Sequence, residues 1–507
     1  MNAPACPSEP GATDASKRPR FALFAWLAGA VVFAAVLAWD IGAYAGGADS
    51  SGYLNQARLL RGGQIHVARR TVPELPREGL SEFAFVPLGF APSHDNTMTP
   101  TYPIGLPLLV AATSCVTGWS AAPHVTMWLH AIAGVALMFA LGRTLGLPFS
   151  WTAFGALLLA TSPVYVFISL PLMSDVPALV WSTIAVLSAW RGRFHAGWAA
   201  AAGASLALAV LVRPTNLLAF IPVAIALGIG WRRWLALVAA GLPGAIALVA
   251  YNHAAYGHAL ATGYGSMTSY FSAGLWLTTL THYARWLPVA LTPVIVLALG
   301  LPWLGRNRWH AVLAAWILAY GGFYLFYSFT HEAWWYLRFL LPAFPPLIAA
   351  ALLVGKMITD TPPLARWHRH APVATAAFVA LALGWSLAWG SLLRSYRIGR
   401  DEHSYLAATD WARAHLPANA LLVVMQTSGA LYYYTEFTFV RWDQLRPRDV
   451  AALEQLAAKE GRPLVAMLFP DEQKEVLWQR LPGRWIQLGA VPHVTFWRRD
   501  APAPAAP

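Results

Sequence analysis

Long apolar runs constrain this chain more than any other feature of its sequence. A helix needs about 20 apolar residues to cross a bilayer, and residues 21–39 form the first run of about that length. Because backbone groups inside a bilayer must be hydrogen-bonded internally, such runs predict helices. The sequence therefore predicts an α-helical polytopic membrane protein with about 11 transmembrane helices. The ten later runs are residues 122–145, 149–169, 176–190, 197–212, 215–229, 234–251, 286–304, 309–329, 334–354 and 373–393.

The composition excludes the soluble classes of protein. Hydrophobic residues make up 57% of the 507 residues and charged residues 11%, against about 45–50% and about 25% in soluble domains. A mean hydropathy of +0.49 leaves too little polar surface for a soluble globule of this size. The two cysteines, Cys6 and Cys115, do not suggest a disulfide framework.

The basic residues predict an orientation. Lysine and arginine outnumber acidic residues 35 to 23, and nucleic-acid binding is not expected because no basic motif interleaves with aromatics. Lys17, Arg18 and Arg20 precede the first run, which favours a cytoplasmic N-terminus. A signal-peptide cleavage sequence at 43–45 is the alternative, but the apolar run exceeds the roughly 7–15 residues of a signal core. We therefore expect a retained signal-anchor in the plasma (inner) membrane.

Four regions follow from this topology. Residues 1–20 form a cytoplasmic tail, and 21–395 a transmembrane domain that includes a long first external loop at 44–121. In 396–500, amphipathic stretches at 405–415, 449–459 and 471–480 alternate with predicted strands at 421–425, 464–469, 485–488 and 493–497. Such alternation predicts a small α/β extracytoplasmic domain. The Pro/Ala-rich end, 501–507, is predicted to be disordered.

Rare acids at the outer face are the first candidates for chemistry, because a charge at mid-helix costs about 2.5–3.5 kcal/mol on insertion scales. Asp49 follows Gly46 and Gly47 and precedes an amphipathic stretch that begins at Tyr53. It is either a helix N-cap or a general base at the membrane surface. Asp175 opens the fourth run, where a helix cap and an active-site role are equally compatible with its position.

A proline- and glycine-rich turn ends the first external loop. It runs from Thr101 through Tyr102 to Pro107, and a structural turn re-entering the membrane is the majority interpretation. His94 and Asp95 lie just upstream and are candidates for contact with substrate at the membrane surface.

Two arginines complete the candidate site. Arg213 precedes Pro214, and Arg338 lies a turn or so inside the tenth run. A solvated turn residue and a snorkelling side chain are the simpler alternatives. The functional alternative is recognition of an anionic head group, because guanidinium binds phosphate bidentately. His331 and Glu332 lie at the same membrane face and are candidates to assist, although adjacent residues on a helix point apart and disfavour metal ligation.

The order of these motifs resembles the GT-C membrane glycosyltransferases, especially the protein O-mannosyltransferase and aminoarabinose-transferase branch. The resemblance covers roughly residues 20–395, and the small α/β tail also resembles those of relatives. It implies a polyprenyl-phosphate sugar donor and an inverting transfer on the non-cytoplasmic face. The matching segments are Ala48 to Tyr53, Tyr102 to Pro107, Met173 to Pro177, Arg213 to Asn216 and Arg338 to Pro342.

The resemblance also implies roles for individual residues. Asp49 would activate the acceptor hydroxyl, or the amine-bearing glycolipid, as general base, and Asp175 would line the same cavity as a supporting acid. The substrate-binding set would be Tyr53, His94, Asp95, Tyr102, Arg213, His331, Glu332 and Arg338, with the two arginines on the donor phosphate. The chain departs from the family at Phe339, where a tyrosine is usual, and at Ser50, where many members carry a second acid.

The second departure removes the basis for a metal site, so no metal and no cofactor are expected. The acceptor stays open between a glycan, a lipid and a protein. A polytopic transporter or lipid flippase is the alternative function, but no internal repeat is visible and the ionisable residues gather at one face instead of mid-membrane. An O-antigen-ligase-like enzyme would share the substrates.

Overall fold

A computed structural model describes residues 17–72, 80–361 and 371–500. Each of the eleven predicted apolar runs overlaps a helix. The helices of the first external loop and the apolar region are α1 (Lys17–Asp40), α2 (Ala48–Arg61), α3 (Gly105–Thr117), α4 (Ala122–Thr144), α5 (Phe149–Thr161), α6 (Pro163–Ser169), α7 (Asp175–Gly192), α8 (Ala196–Val212), α9 (Phe220–Leu227), α10 (Trp231–Tyr256), α11 (Trp276–Leu291), α12 (Arg308–Tyr324), α13 (Phe344–Thr359) and α14 (Ala371–Leu392).

Several apolar segments continue as 3₁₀-helices. The segments Pro214–Ala219, Pro293–Leu304 and Trp334–Ala343 belong to this class, with shorter ones at Met267–Tyr270, Ala273–Leu275 and Ser328–His331. A proline stands first in two of them, where its fixed φ and missing N–H are tolerated. The predicted tail at 501–507, and residues 1–16 of the N-terminal tail, lie outside the described residues.

In the part of the chain that the structure describes, four helical segments are long and apolar enough to cross a membrane: Ala122–Thr144, Trp231–Tyr256, Trp334–Thr359 and Val373–Leu392. Two bent pairs raise this number to six when each pair counts as one span. The bend is 59° between Phe149–Thr161 and Pro163–Ser169, and 113° between Ala273–Leu291 and Pro293–Leu304. The remaining apolar helices are shorter, so the count of about 11 crossings stays a prediction.

Helix α7 lies at the centre of the helical region. It packs against α4, α8, α9 and the 3₁₀-helix Trp334–Ala343, and most of its residues are buried. By contrast, α10 exposes Leu235, Val238, Leu242 and Ile246. A broad exposed apolar face of this kind is typical of contact with lipid.

The C-terminal segment contains five strands, β4 (Leu421–Val424), β5 (Thr438–Arg441), β6 (Leu464–Leu468), β7 (Trp485–Val491) and β8 (Val494–Arg499). They form one sheet of order β5-β4-β6-β8-β7. Strand β4 runs parallel to β5 and β6, whereas β8 is antiparallel to β6 and β7. The helices of this segment are α15 (Ile398–Asp401), α16 (His403–His415), α17 (Ser428–Tyr434), α18 (Pro447–Lys459) and α19 (Pro470–Lys474), followed by a π-helical turn (Glu475–Arg480).

All four predicted strands are present, and β5 is an additional one. Its four residues are mostly buried, and so short an apolar run carries no periodicity that distinguishes strand from helix. The first external loop packs on this sheet through Val86, Phe90 and Met98. That loop has its own three-stranded sheet, of order β1-β3-β2, made of β1 (Val67–Ala68), β2 (Phe90–Pro92) and β3 (Thr97–Pro100).

Candidate active site

Asp49 lies in the first turn of α2 and forms an ion pair with a distant arginine. Gly47 occupies the N-cap position of this helix, so the interpretation of Asp49 as the helix cap is wrong. Its Oδ2 instead accepts a hydrogen bond of 2.8 Å from Arg338 Nη1. Burial raises the pKa of Asp49, but the charge of Arg338 outweighs this effect and holds the pKa below its usual value. The carboxylate is therefore charged at neutral pH.

Arg338 projects from the 3₁₀-helix Trp334–Ala343 towards this carboxylate. Its side chain is only 18% exposed, so it is held within the protein and does not snorkel to water. Its Nε is buried without a hydrogen-bond partner among the described residues. The guanidinium thus keeps one unused donor close to Asp49.

A second, deeper ion pair joins Asp175 and Arg213. Asp175 is the first residue of α7 and its side chain is 3% exposed, while Arg213 follows α8 and is 16% exposed. Ser174 holds the N-cap position but makes no cap bond with its side chain. Neither the helix-cap nor the solvated-turn interpretation describes this pair, since each charge is held in the interior by the other.

Phe339 connects the two pairs. The guanidinium carbons of Arg213 and Arg338 lie 5.1 and 5.3 Å from the centre of its ring, within the range of cation–π attraction. Tyr324 and Tyr336 stack against the same ring at 5.3 and 5.6 Å, each inclined by 13°. The phenylalanine that departs from the resembling family therefore serves here as an aromatic platform, which needs no hydroxyl.

One cavity at this site, here named the aromatic cavity, has a volume of 420 Å³. Both ion pairs open into it, together with the hydroxyl of Ser174 and a group of aromatic rings. Its polar and aromatic lining includes Asp49, Tyr53, Ser174, Asp175, Arg213, Tyr264, Tyr270, Tyr324, Tyr327, Tyr336, Arg338 and Phe339.

The second cavity, here named the carboxylate cavity, has a volume of 630 Å³ and lies between the first loop, the helical region and the C-terminal segment. It shares Asp49, Tyr336 and Arg338 with the aromatic cavity. The Asp49–Arg338 pair therefore stands where the two cavities meet. The polar lining of the carboxylate cavity is Asp49, Ser50, Tyr336, Arg338, Arg394, Asp401, Glu402, Ser404, Tyr405 and His493.

Tyr53 and Tyr102, the two tyrosines that were predicted to bind substrate, are neighbours of Asp49. Tyr53 donates a hydrogen bond of 2.9 Å to Ser174 Oγ, and its ring lies 4.6 Å from that of Tyr102. Gly52 permits this packing, because a Cβ there would come within 2.2 Å of the Tyr102 ring. Tyr102 is buried and its backbone carbonyl accepts a bond of 3.0 Å from Gln56 Nε2, so it is both a turn residue and a neighbour of the site.

The other four predicted residues line neither of these two cavities. His94 and Asp95 are exposed in the turn between β2 and β3, where Asp95 has a φ of 55°. Glu332 is exposed and His331 is half-buried beside it. Their contact with substrate stays a prediction that the geometry of the two cavities does not favour.

Sequence reasoning missed Glu402, which is buried and lines the carboxylate cavity. Its partners Gly47 and Ser50 lie more than 350 residues earlier in the chain, so no local motif connects them. The sequence feature that could have identified Glu402 is the presence of an acidic residue shortly after the last apolar run.

Among the described residues, no group of three His, Cys, Asp or Glu side chains could hold a metal ion. The absence of a metal requirement stays a prediction.

No protein-family model and no curated protein matches the chain, but several solved structures are similar to it. ArnT from Cupriavidus metallidurans bound to undecaprenyl phosphate is 14% identical with a TM-score of 0.57, and the match covers 94% of this chain and 98% of ArnT. Its apo state gives a TM-score of 0.59 at 14% identity, covering 96% and 99% of the two chains.

The archaeal oligosaccharyltransferase AglB from Archaeoglobus fulgidus, in complex with an inhibitory peptide and a dolichol-phosphate, is also similar. It is 12% identical with a TM-score of 0.54, and the match covers 96% of this chain and 75% of AglB. Both neighbours are GT-C membrane glycosyltransferases. At these identities the likeness shows the fold, so the chain is a multi-pass membrane protein with a GT-C-like fold, as the order of its motifs predicted.

Proposed function

We propose that this protein is a glycosyltransferase that moves a sugar from a polyprenyl-phosphate donor to an acceptor hydroxyl or amine. The observation that carries the proposal is the position of Asp49, a charged carboxylate where two cavities meet, paired with an arginine that lines both. The GT-C-like fold supports it, since solved structures with this fold contain undecaprenyl phosphate and dolichol-phosphate.

The aromatic cavity would receive the donor. Arg213 and Arg338 both line it, and guanidinium groups bind phosphate oxygens through paired, charge-assisted hydrogen bonds. The tyrosine rings around them offer apolar faces and hydroxyl groups, the combination that orients a small polar ligand in a pocket. Asp175 would hold Arg213 in position, because their ion pair is almost fully buried.

Asp49 would act as the general base. In the resting protein its ion pair with Arg338 makes it a weak base, because the positive charge stabilises its deprotonated form. A donor phosphate that binds Arg338 would compete for the same guanidinium and free the carboxylate. Donor binding would thus prepare the base, and the arginines would stabilise the charge that develops on the leaving phosphate.

The carboxylate cavity would receive the acceptor. The acceptor would lie beside Asp49, and an inverting transfer would have it attack the anomeric carbon from the face opposite the leaving phosphate. We place this chemistry on the extracytoplasmic face of the inner membrane, with the C-terminal segment outside, on the basis of the arginine distribution. The acceptor would be a glycan, a lipid or a protein, and no metal or cofactor takes part.

The proposal is tested by following undecaprenyl phosphate release. The protein in lipid nanodiscs is given a panel of radiolabelled undecaprenyl-phosphoryl sugars together with extracted envelope lipids and glycans. We expect release from at least one donor, and a loss of about 10²–10⁴-fold in Asp49→Asn, the usual contribution of a general base. Binding of undecaprenyl phosphate should persist in this variant.

The control is Asp410→Asn, which removes an exposed acid paired with Arg413 on the surface of α16. It should release undecaprenyl phosphate at the normal rate. Near-normal turnover by Asp49→Asn would refute the base assignment. Movement of intact donor across the bilayer without cleavage would instead support the flippase alternative.

A further inference from the structure

Glu402 connects the C-terminal segment to the motif that carries Asp49. It stands between α15 and α16 and is 8% exposed. Its Oε1 accepts hydrogen bonds of 2.9 Å from Ser50 Oγ and 3.3 Å from the backbone N–H of Gly47. Gly46 makes room for the carboxyl group, because a Cβ there would lie 2.4 Å from its carboxyl carbon.

The hydrogen bonds to this carboxyl group are made to one of its two oxygens. Oε2 is buried and has no hydrogen-bond partner among the described residues, although Glu402 lines the carboxylate cavity together with Asp49. Holding the start of α2 requires one oxygen, which Oε1 already provides. A buried oxygen without a partner is costly, so a purely structural role does not account for it.

Resting on the function proposed above, we propose that Glu402 is the proton acceptor of this site: it takes from Asp49 the proton that the acceptor loses. Glu402 acts through Asp49 and does not itself attack the sugar. Its carboxylate is held next to the Asp49 motif by the bonds to Ser50 and Gly47. Transfer of the proton would return Asp49 to its charged form, ready to pair again with Arg338.

The step balances without any further reactant. The acceptor's O–H or N–H bond breaks, a bond to the anomeric carbon forms, and the sugar–phosphate bond breaks with its electron pair leaving on the phosphate. The proton goes first to Asp49 and then to Glu402. It leaves to water through the carboxylate cavity, which is partly open to the exterior.

The relative acidity of the two carboxyl groups favours this direction. Burial raises the pKa of Glu402 to about 7, with a further contribution from the charge of Asp49, while the bonds from Ser50 and Gly47 act against it. Arg338 holds the pKa of Asp49 below its usual value. A proton therefore passes downhill from Asp49 to Glu402. Among the described residues, the other titratable or charged groups that face Glu402 or line the cavity with it are Tyr336, Arg338, Arg394, Asp401, Tyr405, Tyr434 and His493.

The variant Glu402→Gln tests the inference, because the amide oxygen keeps the bonds from Ser50 and Gly47 but cannot take a proton. With the undecaprenyl-phosphoryl sugar that the wild type turns over, the wild-type kcat should rise as pH increases through about 7, since only the deprotonated carboxyl group accepts a proton. Glu402→Gln should lose that rise and at least about tenfold in kcat, with KM for the donor unchanged. Glu402→Asp should restore part of both.

The matched control is again Asp410→Asn, at an exposed position on α16, which should keep the wild-type pH profile. A Glu402→Gln protein with the wild-type kcat and the same rise through neutral pH would overturn the inference. Failure of the wild type to turn over any donor would count against the proposed function itself. That outcome differs from failure of the inference on Glu402, which requires an active wild type.

A second measurement uses the wild-type protein and does not depend on the folding of a variant. Dicyclohexylcarbodiimide reacts with protonated carboxyl groups in apolar surroundings, and peptide mass mapping locates the adduct. Labelling of Glu402 should fall as pH rises through about 7, in parallel with inhibition of turnover. Labelling of Glu402 without loss of turnover would overturn the inference, and so would the absence of a Glu402 adduct at slightly acidic pH.

Discussion

The two acid–arginine pairs of this protein are chemically alike and differ in their surroundings. Asp175 is 3% exposed and its pair with Arg213 opens into the aromatic cavity. Asp49 is 29% exposed, and its pair with Arg338 stands where both cavities meet. One Phe339 ring contacts both guanidinium groups. We therefore expect the Asp175–Arg213 pair to stay intact when a ligand binds, whereas a ligand can replace Asp49 as the partner of Arg338.

The difference follows from the energetics of burial. Removing one partner of a buried ion pair leaves an uncompensated charge and costs about 3–5 kcal/mol. A pair with partial access to water loses less, because the remaining charge is rehydrated. We therefore assign Asp175 to holding Arg213 in position and the Asp49–Arg338 pair to chemistry, and three sets of substitutions test this division.

The largest effect should come from breaking the deep pair. Asp175→Asn leaves Arg213 without its partner, so the free energy of unfolding should fall by about 3–5 kcal/mol, measured by thermal unfolding in nanodiscs. Asp49→Asn should lower stability clearly less. The double variant Asp175→Asn with Arg213→Gln should recover part of the loss, since no charge then stays buried. Equal destabilisation by Asp175→Asn and Asp49→Asn would remove the distinction.

An intermediate effect is expected when the arginines are removed in turn. Arg338→Ala and the double variant Asp175→Asn with Arg213→Gln should each weaken binding of undecaprenyl phosphate by about 1.5–3 kcal/mol, the usual contribution of a hydrogen bond to a charged group. The double variant is used because Arg213→Ala alone would leave Asp175 as an unpaired buried charge. Arg338→Ala should also raise the pKa of Asp49, and by more than the loss of Arg213 does, because Arg338 is the main cationic partner of this carboxylate and Arg213 a weaker one. Arg413→Ala, an exposed arginine on α16, is the control. Unchanged affinity in both variants would contradict phosphate recognition.

The smallest effect concerns the shared ring. Phe339→Leu removes the cation–π contact of both guanidinium groups, worth about 0.5–2 kcal/mol, while keeping an apolar side chain at a buried position. Affinity for undecaprenyl phosphate should fall by that amount, whereas Phe339→Tyr should bind normally. A Leu variant with wild-type affinity would show that the two pairs are independent of this platform.

Much of this arrangement could be predicted from sequence. Each of the eleven apolar runs overlaps a helix, and the four motif residues Asp49, Asp175, Arg213 and Arg338 form the two ion pairs. These features have local causes. The length of an apolar run predicts a membrane helix, and a charge beside such a run has a high free-energy cost, so it is rare and easily recognised. Which acid pairs with which arginine had no local signal, since Asp49 and Arg338 are 289 residues apart.

Other expectations depended on packing that sequence does not reveal. His94 and Asp95 are polar loop residues near a motif, but the turn between β2 and β3 directs them to solvent. Strand β5 was missed because four residues carry no periodicity. Glu402 was missed because an acid beyond the last apolar run resembles any solvated residue until a distant loop covers it.

The sequence by itself determined that the chain belongs in a bilayer, and it marked a few charges beside the apolar runs as candidates for chemistry, because burying charge in apolar surroundings is costly and therefore rare. Only the tertiary structure decided which charges are neighbours. The folding of the C-terminal segment onto the first loop buries Glu402 against Gly47 and Ser50. Burial and proximity set the acidity of a carboxyl group, and neither exists until the chain is folded.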